Sequence, residues 1–157
     1  MNQSARLEKI LLAIIYIGSA LVVAVPLLVV PGSYFPYIIV KTIIWRIIVE
    51  AVVLAWLVLI CYFPQYRPKR TLLFWVLGFF TLVWLVSSFT GVSFTRSFWG
   101  NWERMGGSFN FAHYFLWWLV LVNVFKNIKQ WYRLLNFSLL VSLAICLYAL
   151  GQRFGSG

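Results

Sequence analysis

Charged side chains are scarce in this chain, so the few that interrupt its apolar runs carry the first chemical signal. Lys41, Arg46 and Glu50 fall inside one such run, residues 38–63. In a helix Thr42, Arg46 and Glu50, spaced by four, share one stripe. Glu50 lies about 18 Å along that helix at ~1.5 Å per residue. A carboxylate at that depth costs roughly 2.5–3.5 kcal/mol on insertion scales, so it must face a bundle interior and meet a partner. Two arrangements satisfy it. One is an Arg46–Glu50 ion pair within the helix that serves packing alone. In the other, Arg46 binds an anionic headgroup while Glu50 holds the guanidinium in position. Lys41, about 140° round the helix from Arg46, can snorkel to lipid phosphate or reach a phosphate-bearing substrate.

A second cluster occupies residues 94–113, FTRSFWGNWERMGGSFNFAH, and contains Arg96, Glu103, Arg104, Trp99, Trp102, three glycines and the chain's one histidine. Guanidinium forks suit phosphate, because two parallel N–H groups meet two oxygens. Glu103 can instead satisfy Arg104 as a surface pair. Gly106 and Gly107 allow a sharp turn into the next helix, whose N-terminal amides add positive potential. Trp99 and Trp102 can stack on a sugar face or anchor the loop at a membrane interface. His113 lies one turn into that helix with Asn110 and Trp117 on its face. It is read either as a satisfied core residue or as a base. No second histidine or carboxylate accompanies it at ligand spacing, so no metal is expected. There is no Walker loop, G-x-G-x-x-G, D-x-D or G-x-S-x-G, so nucleotide chemistry has no sequence support.

The elements that must position these residues are membrane helices. Of 157 residues, 63% are apolar and 10% charged, against roughly 25% charged in soluble domains. Nine Trp, eight Tyr and fourteen Phe fit aromatic belts at two membrane surfaces. The hydrophobic runs predict an all-α, polytopic bundle, one transmembrane region over 1–157. Five helices are expected at about 10–30, 38–63, 72–89, 109–125 and 134–150. The first run is too long for a signal-peptide core of about 7–15 residues, and Pro26 should bend its far end. Pro31, Gly32 and Pro36 mark the turn that follows. Cys61 and Cys146 lie in or beside apolar runs and are expected to be packing residues. Ser138, Ser142 and Cys146 form a small-residue stripe suited to close helix approach.

The net charge of +10 comes in short clusters between apolar runs, the pattern of loops and not of a nucleic-acid face. With the N-terminus inside, Arg6, Lys9, Arg67, Lys69, Arg70, Lys126, Lys129 and Arg133 lie on the cytoplasmic side. Lys41, Arg46, Arg96, Arg104 and Arg153 lie at or near the other. The arginine-containing loop then faces outward. A five-helix chain with an unpartnered small-residue face is expected to be a fragment of a larger bundle.

Phe35-Pro36, Lys41, Arg46, Val49-Glu50, Tyr66-Arg67-Pro68-Lys69, the block Ser97-Phe98-Trp99-Gly100-Asn101-Trp102-Glu103-Arg104-Met105, then Gly107 and His113 resemble the N-terminal part of O-antigen ligase-family proteins. The resemblance covers nearly the whole chain, and the Ser-Phe-Trp-x-Asn-x-Glu-Arg-Met block is its most specific piece. It implies the N-terminal portion of a glycosyltransferase C-type fold in a bacterial inner membrane. Such enzymes move a glycan from undecaprenyl pyrophosphate to an acceptor at the periplasmic face, without metal, nucleotide or other cofactor. The acceptor is lipid A core, another glycan or a protein hydroxyl, so polymerases and protein O-oligosaccharyltransferases belong to the same comparison. On this reading Lys41, Arg46, Arg96 and Arg104 bind the pyrophosphate. Glu50, Glu103, Trp99 and Trp102 support them, and His113 is the candidate catalytic group. The competing expectations are a non-catalytic membrane assembly module and, from Arg46 and Glu50 alone, part of an ion-coupled transporter.

Overall fold

Long apolar stretches without charge leave the backbone no partner but itself in lipid, and the chain answers with helices. The structure, a computed structural model, describes residues 3–29, 38–101 and 104–155. Helix α1 spans Gln3–Ala24 and α2 spans Ile39–Tyr62, with α3 at Leu72–Thr90 and the short α4 at Phe94–Trp99. Helix α5 spans Ser108–Val124 and α6 spans Ile128–Phe154. The described residues contain no strand.

The helix ends have local causes. Pro26 lacks an N–H, and α1 passes there into a 3-10 turn over Val25–Leu27. Thr71 caps α3 by accepting the Phe74 N–H at 3.2 Å. Asn127 accepts from the Lys129 N–H at 3.1 Å, while its own N–H donates to the Gln130 side chain at 3.0 Å. That cap starts α6 six residues before the expected 134. The first helix likewise begins at Gln3, not 10, because the polar N-terminal residues continue it. The turn expected at Pro31, Gly32 and Pro36 lies outside the described residues.

Among the described residues four helices, α1 with its terminal turn, α2, α3 and α6, are long and apolar enough to cross a membrane. This is a multi-pass membrane protein. The expected fourth span, at 109–125, is shorter than the other four. Helix α5 has 17 residues, about 26 Å at ~1.5 Å each, below the roughly 30 Å of a bilayer core. It sits in the middle of the packing, and it still reaches from Arg46, through Asn110, to the Lys69 amide, through Asn123. Helix α2 lies between α1 and α5, α3 packs on another side of α5, and α6 lies along α1.

The core is where α1, α2 and α5 meet, with Ile15, Val52, Leu59, Val120 and Val124 fully enclosed. Gly18 on α1 makes this approach feasible, because a Cβ there would run into the Val52 side chain. Helices α3 and α6 bury little: Thr81 and Ser88 on one, Val141 on the other. Ser142 and Cys146 of the small-residue stripe are exposed, and Cys61 and Cys146 are both free thiols.

The segments bearing Arg6, Lys9, Arg67, Lys69, Arg70, Lys126, Lys129 and Arg133 come together at one end of the bundle. Glu8 accepts there from Gln65 Nε2 and the Tyr66 hydroxyl, each at 2.9 Å. Lys126 donates to the Gln65 carbonyl at 2.9 Å and lies 4.1 Å from the Tyr66 ring centroid. The Lys69 N–H donates to Asn123 at 3.1 Å. Burial, then the hydrogen bond to Glu8, push the Tyr66 hydroxyl above the ordinary tyrosine range, which keeps it a donor. Lys41, Arg46, Arg96 and Arg104 belong to the opposite end.

Candidate functional site at the arginine-bearing end

The site is built where the loop after α4 folds back under the start of α5. Gly100 ends α4 at φ +82, a backbone state that suits glycine. A side chain there would also come within 2.6 Å of the Gly106 and Gly107 amide nitrogens. At Gly107 a Cβ would strike the Phe98 carbonyl. Met105 takes the left-handed region at φ 48, and its carbonyl turns toward α2. The start of α5 is pinned to α3 by a hydrogen bond between the Ser108 and Ser88 hydroxyls. Phe111 stacked on Trp84 at 5.1 Å holds the same pair of helices.

This frame captures Arg46. Its Nε donates to Asn110 Oδ1 at 3.0 Å, one of its terminal N–H groups donates to the Met105 carbonyl at 2.7 Å, and its guanidinium carbon lies 5.1 Å from the Phe109 ring centroid. A guanidinium has five N–H groups, so among the described residues these two bonds leave three. Arg46 also lines a cleft of about 370 Å³ with Thr95, Trp99, Gly100, Asn101 and Met105. A second cleft, of about 260 Å³, lies beyond Asn110 and is lined by Lys41, Thr42, Trp45 and Tyr114 among others. The Lys41 ammonium donates to the Pro26 carbonyl at 2.7 Å. Thr42 turns inward on its own helix, donating to the Ile38 carbonyl at 3.0 Å.

Glu50 is held elsewhere. Its Oε1 lies 3.0 Å from His113 Nε2, and His113 Nδ1 lies 2.8 Å from the Phe109 carbonyl. The Arg46–Glu50 pair anticipated from the i, i+4 spacing is therefore replaced by two cross-helix pairs. Arg46 and Glu50 each reach α5, where Asn110 and His113 sit one turn apart. Spacing along one helix reports a shared face, not which neighbour that face meets, and so the carboxylate partner of His113 went unseen. The carbonyl of Met105 left no signal in residue type at all.

No family model, curated protein or solved structure matches this chain. What the site can do is thus argued from its own geometry.

Arg96 and Arg104 are exposed and, among the described residues, their guanidinium groups have no partner. Neither lines the Arg46 cleft. Trp99 does, with half of its surface open, whereas Trp102 and Glu103 lie outside the described residues. Among the described residues no three His, Cys, Asp or Glu side chains converge, so Glu50 and His113 act as a pair. Among the described residues the arrangement offers an oriented cation with unpartnered N–H groups, an aromatic wall and polar backbone. A guanidinium fork of this kind can meet a phosphate or carboxylate with two parallel N–H groups.

Proposed function

We propose that this end of the bundle binds the pyrophosphate of a polyprenyl-linked glycan and takes part in transferring that glycan to an acceptor. The observation that carries the proposal is the half-used guanidinium of Arg46, clamped by Asn110 and the Met105 carbonyl at the rim of the cleft. A fixed fork meets developing charge on a leaving pyrophosphate without reorganising during the reaction. Trp99 supplies a stacking face for the first sugar. Exposed Arg96 and Arg104 draw the anion in, and Lys41 meets lipid phosphate beside it.

The resemblance to O-antigen ligases supports the same reading, with the chain as the N-terminal part of a glycosyltransferase C-type enzyme in a bacterial inner membrane. Polymerases and protein O-oligosaccharyltransferases share the required donor chemistry. Eight cations at the other end support, by the positive-inside tendency, a cytoplasmic N-terminus with the cleft on the outer side. The largely exposed faces of α3 and α6 favour a second reading, in which the chain is an assembly module within a larger membrane complex.

The test is glycan transfer from an undecaprenyl-pyrophosphate donor in membranes carrying the native protein. Arg46→Ala is expected to lower the rate by roughly 10²-fold or more, the scale of losing one preorganised electrostatic group. Arg46→Lys keeps the charge, loses the fork and should recover little. Wild-type transfer by Arg46→Ala at normal expression would remove Arg46 from the site and leave the assembly reading.

A further inference from the structure

The hydrogen bonds around His113 fix more than its position. A backbone carbonyl can only accept, so the 2.8 Å contact between Nδ1 and the Phe109 oxygen requires the proton on Nδ1. A neutral imidazole with that tautomer has a bare lone pair on Nε2. An ionised carboxylate also has only lone pairs to offer. Yet Nε2 and Glu50 Oε1 stand 3.0 Å apart. One further proton must lie between them, carried as an imidazolium N–H or a carboxylic O–H.

The surroundings favour that proton. Glu50 is the twelfth residue of α2, about 17 Å from its start at ~1.5 Å per residue, and close to mid-span. Its neighbours on the outer face of α2, Ile47 and Leu54, are exposed and apolar. With the proton the pair has no net charge; without it the pair is an anion at membrane depth, which is costly. The other charged or titratable groups near it are Arg46 on α2, tied to Asn110 and Met105, and Tyr114 on α5. Helix α3 contains no ionisable residue, Arg96 of α4 is exposed, and those of α1 lie toward the opposite end.

We propose that Glu50 and His113 form a proton-holding site between α2 and α5 that shares one exchangeable proton. The His113 side chain is 6% exposed and that of Glu50 is 55% exposed, so exchange runs through the carboxylate. On release to a base that reaches the carboxylate, that base gains the proton and the pair goes from zero charge to −1. Reprotonation from that side restores the bond. This site does not depend on the glycan reading; there, the same proton would be available to an acceptor or leaving group brought near Glu50.

His113 is the one histidine of the chain, so nitrogen-15 histidine labelling of the lipid-reconstituted protein reports it alone. Near neutral pH the Nδ1 signal should be protonated. It should be accompanied either by a protonated Nε2 or by a protonated Glu50 carboxyl in carbon-13 spectra. Glu50→Gln donates an amide N–H to Nε2 and should leave Nε2 bare with Nδ1 still protonated. A wild-type tautomer with bare Nδ1 and protonated Nε2 overturns the proposal, because His113 then supplies the bond from its own proton. Nδ1–H with bare Nε2 beside ionised Glu50 overturns it too, as does a doubly protonated His113 in Glu50→Gln.

Discussion

His113 Nε2 on α5 and Glu50 Oε1 on α2 meet at 3.0 Å across 63 positions of sequence, one turn below the place where Asn110 holds Arg46. The two contacts make α2 and α5 a ladder whose rungs are polar. A double-mutant cycle of Glu50→Ala and His113→Ala, read by thermal unfolding in detergent, should give a coupling of about 0.5–3 kcal/mol. Additivity would mean that the two side chains merely lie close.

Asn110 has a more specific task than filling space. It is 8% exposed and accepts from Arg46 Nε, so Asn110→Ala should destabilise the protein by roughly 1.5–3 kcal/mol, the range for a hydrogen bond to a charged group. Asn110→Asp gives the sharper outcome. A carboxylate there pairs with the guanidinium, so stability is kept while binding of a pyrophosphate-bearing lipid weakens at least several-fold. Equal loss of stability in both variants would show that Asn110 acts only in packing.

The two adjacent glycines before α5 should part company. No atom lies within 4 Å of a Cβ placed on Gly106, whereas one on Gly107 meets the Phe98 carbonyl and the Gly100 nitrogen. Gly106→Ala is thus expected to leave the unfolding midpoint unchanged. Gly107→Ala should lower it by several degrees, as the loop cannot close on α4. Similar midpoints for both variants would mean that this loop is not packed on α4 as described.

Much of the bundle was legible as hydropathy. The boundaries of α2 and α3 follow from where charge and proline interrupt apolar runs, at Lys69 and Arg70 for instance. The extents of α1 and α6 were not, because polar residues such as Glu8 and Gln130 continue a helix once a cap or a neighbour satisfies them. Arg46 and Glu50 stood out in the sequence by the cost of burying charge. Their partners did not, since Asn110 and His113 become neighbours only when α5 is laid beside α2. Lys41, Arg96 and Arg104 were grouped with Arg46 by type, yet only Arg46 lines the larger cleft.

The end-to-end charge division predicts opposite exposure of two surface sites. In a variant with Cys61 and Cys146 replaced by serine, Arg70→Cys and Ser93→Cys each place one thiol at opposite ends of α3, which spans Leu72–Thr90. In intact cells a membrane-impermeant maleimide should modify the cysteine at position 93 and spare that at position 70 until the membrane is opened. The reverse pattern would invert the orientation, and with it the side on which Arg46 meets its ligand.

The closest approach in the core offers a test by rescue. Gly18 faces Val52, and a methyl group on Gly18 would overlap the valine side chain. Gly18→Ala must therefore push α1 from α2, or force Val52 from its rotamer. Overpacking of this kind costs about 1–3 kcal/mol. Val52→Ala alone leaves a cavity and should destabilise as well, by the loss of two buried methyl groups. Combined, the new methyl on α1 enters the space vacated on α2, so the double variant should be more stable than the sum of the single effects predicts. Such recovery locates α1 against α2 at this one level, and fixes the wall on which Glu50 and Arg46 are held toward α5. Simple additivity of the two losses would place Gly18 somewhere other than against Val52.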